Sequence, residues 1–336
     1  QAALRCECAP RARRGSGVYV ENHVVYCVRK MPYCLNFSFF KGKNLQSLFQ
    51  PMRSRILIVL TLLLTTSAVF GQFSQKQPVN LDSLRNSLTL EQKVGQLFMV
   101  AAYSNKSVEH QRYLQTLVRN YHIGGVIAMQ GGPARQRRML ESLQQIASVP
   151  LLVGQDAEWG QAMRLDSTYK FPTSLTVGAG SYGPLAKELG TALAKECQKV
   201  GVHMSFSPVL DVNTNPANPI IGARSFGSDP ANVSLQGTAV IQGLQEQGVL
   251  ACGKHFPGHG DTQSDSHKTL PKVDRTLEQL KAVEWVPFKA AVDAGVASFM
   301  IAHLNIPSLE PGGKPTSLSP TVIDGVLREE WGYDGL

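Results

Sequence analysis

The chain has 336 residues, with 33 Lys and Arg against 25 Asp and Glu, and 43% of it is hydrophobic, which is long and apolar enough for a sizeable core. Its formal charge of +8 is confined to the start: ten basic residues and only two acids, Glu7 and Glu21, precede residue 72, leaving 23 of each sign after it. A neutral body removes the main electrostatic support for nucleic-acid binding.

Residues 1–51 begin without Met and hold Cys6, Cys8, Cys27 and Cys34. We read them as sequence translated upstream of the true start, with a Cys-x-Cys metal site as the functional rival. Residues 52–71 run from Met52 through Arg53 and Arg55 to an apolar stretch at 56–64 and a small-residue exit. This is the layout of a secretory signal peptide, too short for a comfortable membrane span; an uncleaved anchor is the alternative. No cysteine lies near the exit, so a lipid anchor is not indicated. The expectation is an exported chain, periplasmic or extracellular, with no stable membrane span after cleavage. Cys197 and Cys252 alone remain in the body, too few for a disulfide scaffold.

Beyond residue 80, Thr89-x-x-Gln92 has the form of a capping box, and Val94, Leu97, Phe98 and Ala101 follow at helical spacing. Strands are predicted at 125–129, 151–154, 202–206, 249–252 and 297–301, with helices at 133–147, 184–199, 230–247 and 276–294. Alternation of this kind, with nearly continuous apolar strands, predicts a parallel sheet covered on both faces. No Gly-x-Gly-x-x-Gly follows the first strand, which disfavours a dinucleotide fold.

Polar residues gather after the strands: Asp156 and Glu158, then Ser207 to Asp211, then Lys254 and His255, then His303. That is where a (β/α)8 barrel builds its site. The run 254–271 is densest, with His255, His259, His267, Asp261 and Asp265, and Pro257, Gly258 and Gly260 predict a tight loop. A metal-dependent hydrolase using His255, His259, Asp261, Asp265 and His267 is one reading, weakened because Phe256-Pro257-Gly258 interrupts the ligand spacing.

The motif Lys254-His255-Phe-Pro-Gly-His-Gly with Asp265-Ser266-His267 resembles glycoside hydrolase family 3, in its β-N-acetylhexosaminidase branch. Asn218-Pro-Ile-Ile-Gly-Ala-Arg224, Ser207-Pro-Val-Leu-Asp211, Ile301-Ala-His303 and the stretch 327–335 support the likeness in the same order, over about 250 residues. The resemblance implies that Asp156, Arg224, Lys254 and His255 hold sugar hydroxyls, with His267 as general acid/base and Asp265 its dyad partner. Its neutral-range pKa lets a histidine replace the second carboxylate of other glycosidases. A pair that merely pins the loop is the bland alternative, and His259 reads as loop-shaping. One departure stands out: Trp159 occupies the first Gly of the usual Asp-x-Glu-Gly-Gly, and either lines the site or packs.

The resemblance also implies an aspartate nucleophile after a sixth strand, beyond Leu336; Asp334 precedes that strand and does not match. The expected whole is therefore a catalytic domain over 72–336, a (β/α)8 barrel incomplete at its C-terminal end with about five strands present, and inactive alone. It would need no cofactor and no metal, take a β-N-acetylglucosaminide from peptidoglycan fragments or chitin-like oligosaccharides, and be followed by a possible further domain. Water or phosphate would release the sugar, since a histidine acid/base does not repel phosphate. A non-catalytic carbohydrate-binding barrel that keeps Asp156, Arg224 and Lys254 is the rival of another class.

Overall fold

Two capped helices come first among the described residues. In the computed structural model, which describes residues 80–180, 182–264 and 269–336, Asn80 caps α1 (Leu81–Ser87) by accepting from the Ser83 amide. Thr89 and Gln92 form the reciprocal capping box of α2 (Leu90–Gly95), with Gln92 Oε1 accepting from the Thr89 amide at 2.9 Å. The expectation that the helix runs on to Ala101 is corrected here. A side chain at Gly95 would collide with the Tyr121 carbonyl, and residues 96–98 turn into the first strand, β1 (Met99–Ala102). Val94, Leu97 and Phe98 are all exposed, so their helical spacing marks no buried face.

Five further strands follow: β2 (Gly125–Ala128), β3 (Leu152–Gln155), β4 (Met204–Ser205), β5 (Leu250–Phe256) and β6 (Ser298–Ile301). All pair in parallel with their sequence neighbours, giving the order β1-β2-β3-β4-β5-β6. The sheet is a curled half-barrel of the TIM type with six strands, one more than the sequence suggested. Its crossovers are α3 (Val108–Tyr121), α4 (Pro133–Ile146), α5 (Ser174–Gly178), α6 (Gly183–Lys199), α7 (Pro230–Glu246) and α8 (Leu277–Gln279). The last continues through a π-helical turn, Leu280–Glu284, into α9 (Trp285–Asp293), and a second π-helical stretch, Thr321–Glu330, follows β6.

The apolar helix faces bury one continuous core that includes Leu114, Val126, Val153, Leu193, Leu244 and Phe288. A smaller cluster, Met204, Phe206 and Cys252, fills in beside β4 and β5. Helices α6 and α7 approach closely because a Cβ at Gly190 or Gly243 would strike the other helix's backbone. Cys197 and Cys252 are buried and unbridged.

Two details position the site. First, β5 continues through Phe256, with a bulge in its pairing to β6 between Lys254 and Phe256 and a cis Lys254–His255 peptide. Lys254 and His255 therefore lie on the strand, where Lys254 pairs with Met300, and the loop starts only at Pro257. Second, Leu336 takes a ladder position beside β6, its amide donating to the Ala297 carbonyl at 3.1 Å and its carbonyl accepting from the Phe299 amide at 2.9 Å. With six strands before it, a strand running on from Leu336 is a seventh, not a sixth. No helix among the described residues is long and apolar enough to cross a membrane. The readings for residues 1–71 lie outside the described residues.

Candidate active site

The site grows from the C-terminal ends of β3, β4 and β5. Asp156 and Glu158 follow β3, their side chains separated by the buried Ala157. Lys254 reaches across from β5 and donates to Asp156 Oδ1 at 2.8 Å and to Glu158 Oε1 at 2.7 Å. Only 2% of the Lys254 and Glu158 side chains is exposed. Arg224, on the 3-10 turn Gly222–Arg224, closes a fork on Glu158 with Nε and Nη2 at 2.9 and 2.8 Å. Arg164 donates to Asp156 Oδ2 at 2.6 Å.

These contacts fix the charge states. Burial opposes ionisation of Asp156, but Lys254 and Arg164 override it and hold the carboxyl at about 2. Glu158 is likewise lowered: burial works against Lys254 and Arg224, and the two cations win. For Arg224, burial alone would lower the pKa, yet the fork to Glu158 raises it. The result is two carboxylates clasped by three cations, with Asp156, Arg164 and Arg224 still partly exposed.

Asp211, after β4, is fully buried and supports the next layer. Its Oδ1 accepts from the His259 amide at 2.7 Å, and its Oδ2 from the His255 amide at 3.1 Å and His255 Nδ1 at 2.6 Å. Burial would raise its pKa, but the His255 ring and these donors lower it. His255 Nε2 faces Arg224 Nη2 at 3.3 Å. Asp211 can only accept and Arg224 can only donate, so His255 carries its proton on Nδ1 and is neutral. Burial lowers its pKa in the same sense, Asp211 only partly compensating.

The glycine turn after β5 is wedged against the loop after β4. A Cβ at Gly260 would collide with the Val212 carbonyl. Asn218 Nδ2 donates to the His259 and Gly260 carbonyls at 2.9 and 3.0 Å. His259 is 2% exposed and its Nδ1 contacts Thr262 Oγ1 at 2.6 Å, consistent with loop-shaping. His303, past β6, is exposed, with Nδ1 2.6 Å from Ser317 Oγ. Trp159 is half-buried, which leaves its two readings open.

The structure thus brings together Asp156, Arg224, Lys254 and His255, the four residues expected to bind sugar. Asp265 and His267, the expected acid/base dyad, lie outside the described residues. Of the proposed metal ligands, His255 and His259 are engaged with Asp211, Arg224 and Thr262, and no group of three metal-ligating side chains forms among the described residues. Sequence reasoning passed over Arg164, which sits in a loop where no periodicity marks it; its distance of eight residues from Asp156 carries no signal. Asp211 was seen only as a strand-end acid, not as the anchor of His255.

A family model, the glycosyl hydrolase family 3 N terminal domain, matches residues 89–336. A beta-hexosaminidase of Thiobacillus denitrificans is 37% identical over 223 residues, covering 63% of this chain and 61% of that protein. A beta-N-acetylglucosaminidase/beta-glucosidase of Cellulomonas fimi is 29% identical, covering 73% of this chain and 44% of its own length. Among solved structures, a family 3 beta-N-acetylglucosaminidase from a Paenibacillus species superimposes with a TM-score of 0.69 at 40% identity, over 74% of this chain and 48% of its own. NagZ from Neisseria gonorrhoeae, in complex with N-trifluoroacetyl-D-glucosamine, gives a TM-score of 0.64 at 28% identity, over 71% and 72%. The chain spans about half the length of several relatives it matches.

Proposed function

This chain belongs to glycosyl hydrolase family 3, through that family's N-terminal domain, and on that footing we propose that it supplies the sugar-binding and acid/base part of an exported β-N-acetylglucosaminidase. The observation that carries the reading is the convergence of Asp156, Arg164, Arg224, Lys254 and His255 at three adjacent strand ends. Carboxylates that only accept stand beside cations that only donate, the pattern that reads the hydroxyls of a pyranose ring. Asp156 and the two arginines retain the exposed edges a sugar would touch, while Lys254 holds Asp156, Glu158 holds Arg224, and Asp211 holds His255.

The reaction is a double displacement with retention. An aspartate on the loop after the next strand, beyond Leu336, attacks the anomeric carbon while His267, with Asp265 as its dyad partner, protonates the leaving oxygen. His267 then takes a proton from the water that releases the sugar. The substrate is a terminal β-linked N-acetylglucosamine of a peptidoglycan fragment or chitin-like oligosaccharide.

The test is a chromogenic β-N-acetylglucosaminide assay on the full-length gene product containing this chain, with and without phosphate. Release of N-acetylglucosamine that disappears in Asp156→Asn supports the reading. Sugar binding without turnover, surviving His267→Ala, replaces it with the non-catalytic barrel.

A further inference from the structure

The loop after β3 carries an aromatic side chain that the charged cluster does not use. The Gly160 amide donates to the Ala157 carbonyl at 3.1 Å, closing a β-turn whose central residues are Glu158 and Trp159. Both ends of the turn are buried. On one side of Trp159, the Glu158 carboxylate is locked by Lys254 and Arg224. On the other, Gly160 has a φ of +86°, and a Cβ there would lie 2.6 Å from the Phe171 ring. The Phe171 amide donates to the Trp159 carbonyl at 3.1 Å, and the Phe171 ring packs on the core. The backbone that presents Trp159 therefore has little room to move.

The indole so held differs from the chain's other two. Trp285 is 2% exposed and part of the core, and Trp331 packs against that core beside Phe256. Trp159 is half-buried yet belongs to neither apolar cluster and packs against neither. Its Nε1 has no hydrogen-bond partner among the described residues and, unlike that of Trp285, is not enclosed. Its neighbours in the chain are the acids of the site, Asp156 and Glu158.

A tryptophan that stabilises a fold buries its rings among apolar side chains and pairs its N–H. Trp159 does neither, and its turn is fixed from both sides, as a preorganised binding residue requires. Asp156, Arg164 and Arg224 are all charged and suit the hydroxyl rim of a pyranose, whereas the faces of that ring are C–H surface. We propose that Trp159 is a further sugar-binding residue, its indole covering a C–H face of the pyranose held by Asp156, Arg164 and Arg224. Its Nε1, a donor only, adds a hydrogen bond to a ring oxygen without adding charge. This rests on the sugar-binding reading above. A contact made equally before and during the reaction appears in KM and not in kcat.

The test uses the full-length protein, N-acetylglucosamine as the calorimetric ligand and a chromogenic β-N-acetylglucosaminide as substrate. Trp159→Ala should raise Kd and KM at least about tenfold and change kcat less than about twofold, with the urea midpoint nearly unmoved. Trp159→Phe keeps an aromatic face but loses the N–H, and should recover most of the loss. N-Acetylglucosamine should also shift the tryptophan emission of the parent and not that of Trp159→Phe, which decides the matter if Trp159→Ala does not fold. An unchanged Kd and KM in Trp159→Ala, or an emission shift that persists in Trp159→Phe, overturns the inference. If Asp156→Asn still abolishes binding in that case, the sugar-binding reading stands without it. A parent protein that binds no N-acetylglucosamine removes both.

Discussion

Two buried clusters of charge lie at the same end of the sheet and are built on opposite rules. Around Lys254, every oxygen of Asp156, Glu158 and Asp211 has a donor, and carboxylates alternate with cations. Around Arg275, one cation serves two acids and the oxygens of Glu284 have no hydrogen bond. The first arrangement makes a rigid surface of known charge, because moving any member strands another. The second leaves a buried carboxyl without a hydrogen bond and so stabilises little.

That contrast breaks most sharply at Lys254. Lys254→Met leaves two buried carboxylates short of a cation, and removing one partner of a buried pair costs about 3–5 kcal/mol. Urea unfolding measures it; a loss under about 1 kcal/mol would mean the cluster is not interdependent. Arg224→Lys keeps the charge but not the fork on Glu158, and should cost about 1.5–3 kcal/mol together with weaker N-acetylglucosamine binding by calorimetry.

In the other cluster the sign reverses. Burial raises the Glu284 pKa above 4.5, so the native state loses stability as pH rises from 4.5 through the raised value. Glu284→Gln removes that loss, and its urea midpoint should match the parent near pH 4 and exceed it at pH 7. A midpoint that falls at pH 7 would show that the carboxylate stabilises the fold after all.

The smallest effect is a slope. His255 is lowered by burial below 6.5, so the unfolded chain takes up the proton first and stability falls as pH drops below 6.5. Asp156, held at about 2, keeps its contribution above 3.8 and loses it only as pH falls from there. Unfolding between pH 5 and 7 should therefore flatten in His255→Asn and not in Asp156→Asn.

Much of this was legible in the sequence, for reasons that differ by residue. The apolar runs at 125–129 and 297–301 hold no exposed residue, so composition alone marks them as strands. Met99–Ala102 escaped because the capping box before it starts a real helix and the next apolar residues keep its spacing by coincidence. Lys254 and His255 looked like loop residues because charge in a parallel strand is rare; only Asp156, Glu158 and Asp211 across the sheet make their burial tolerable. Those pairings join residues 44 to 98 positions apart, a distance no local pattern encodes.

The proton on His255 Nδ1 has a consequence for the arginine beside it. With Asp211 fixing the proton on one side of the ring, the lone pair on the other side accepts from Arg224, and the imidazole becomes a spacer of fixed polarity between a buried acid and a half-buried guanidinium. An imidazole of the opposite tautomer, or one protonated on both nitrogens, would turn an N–H toward Arg224 and push it away.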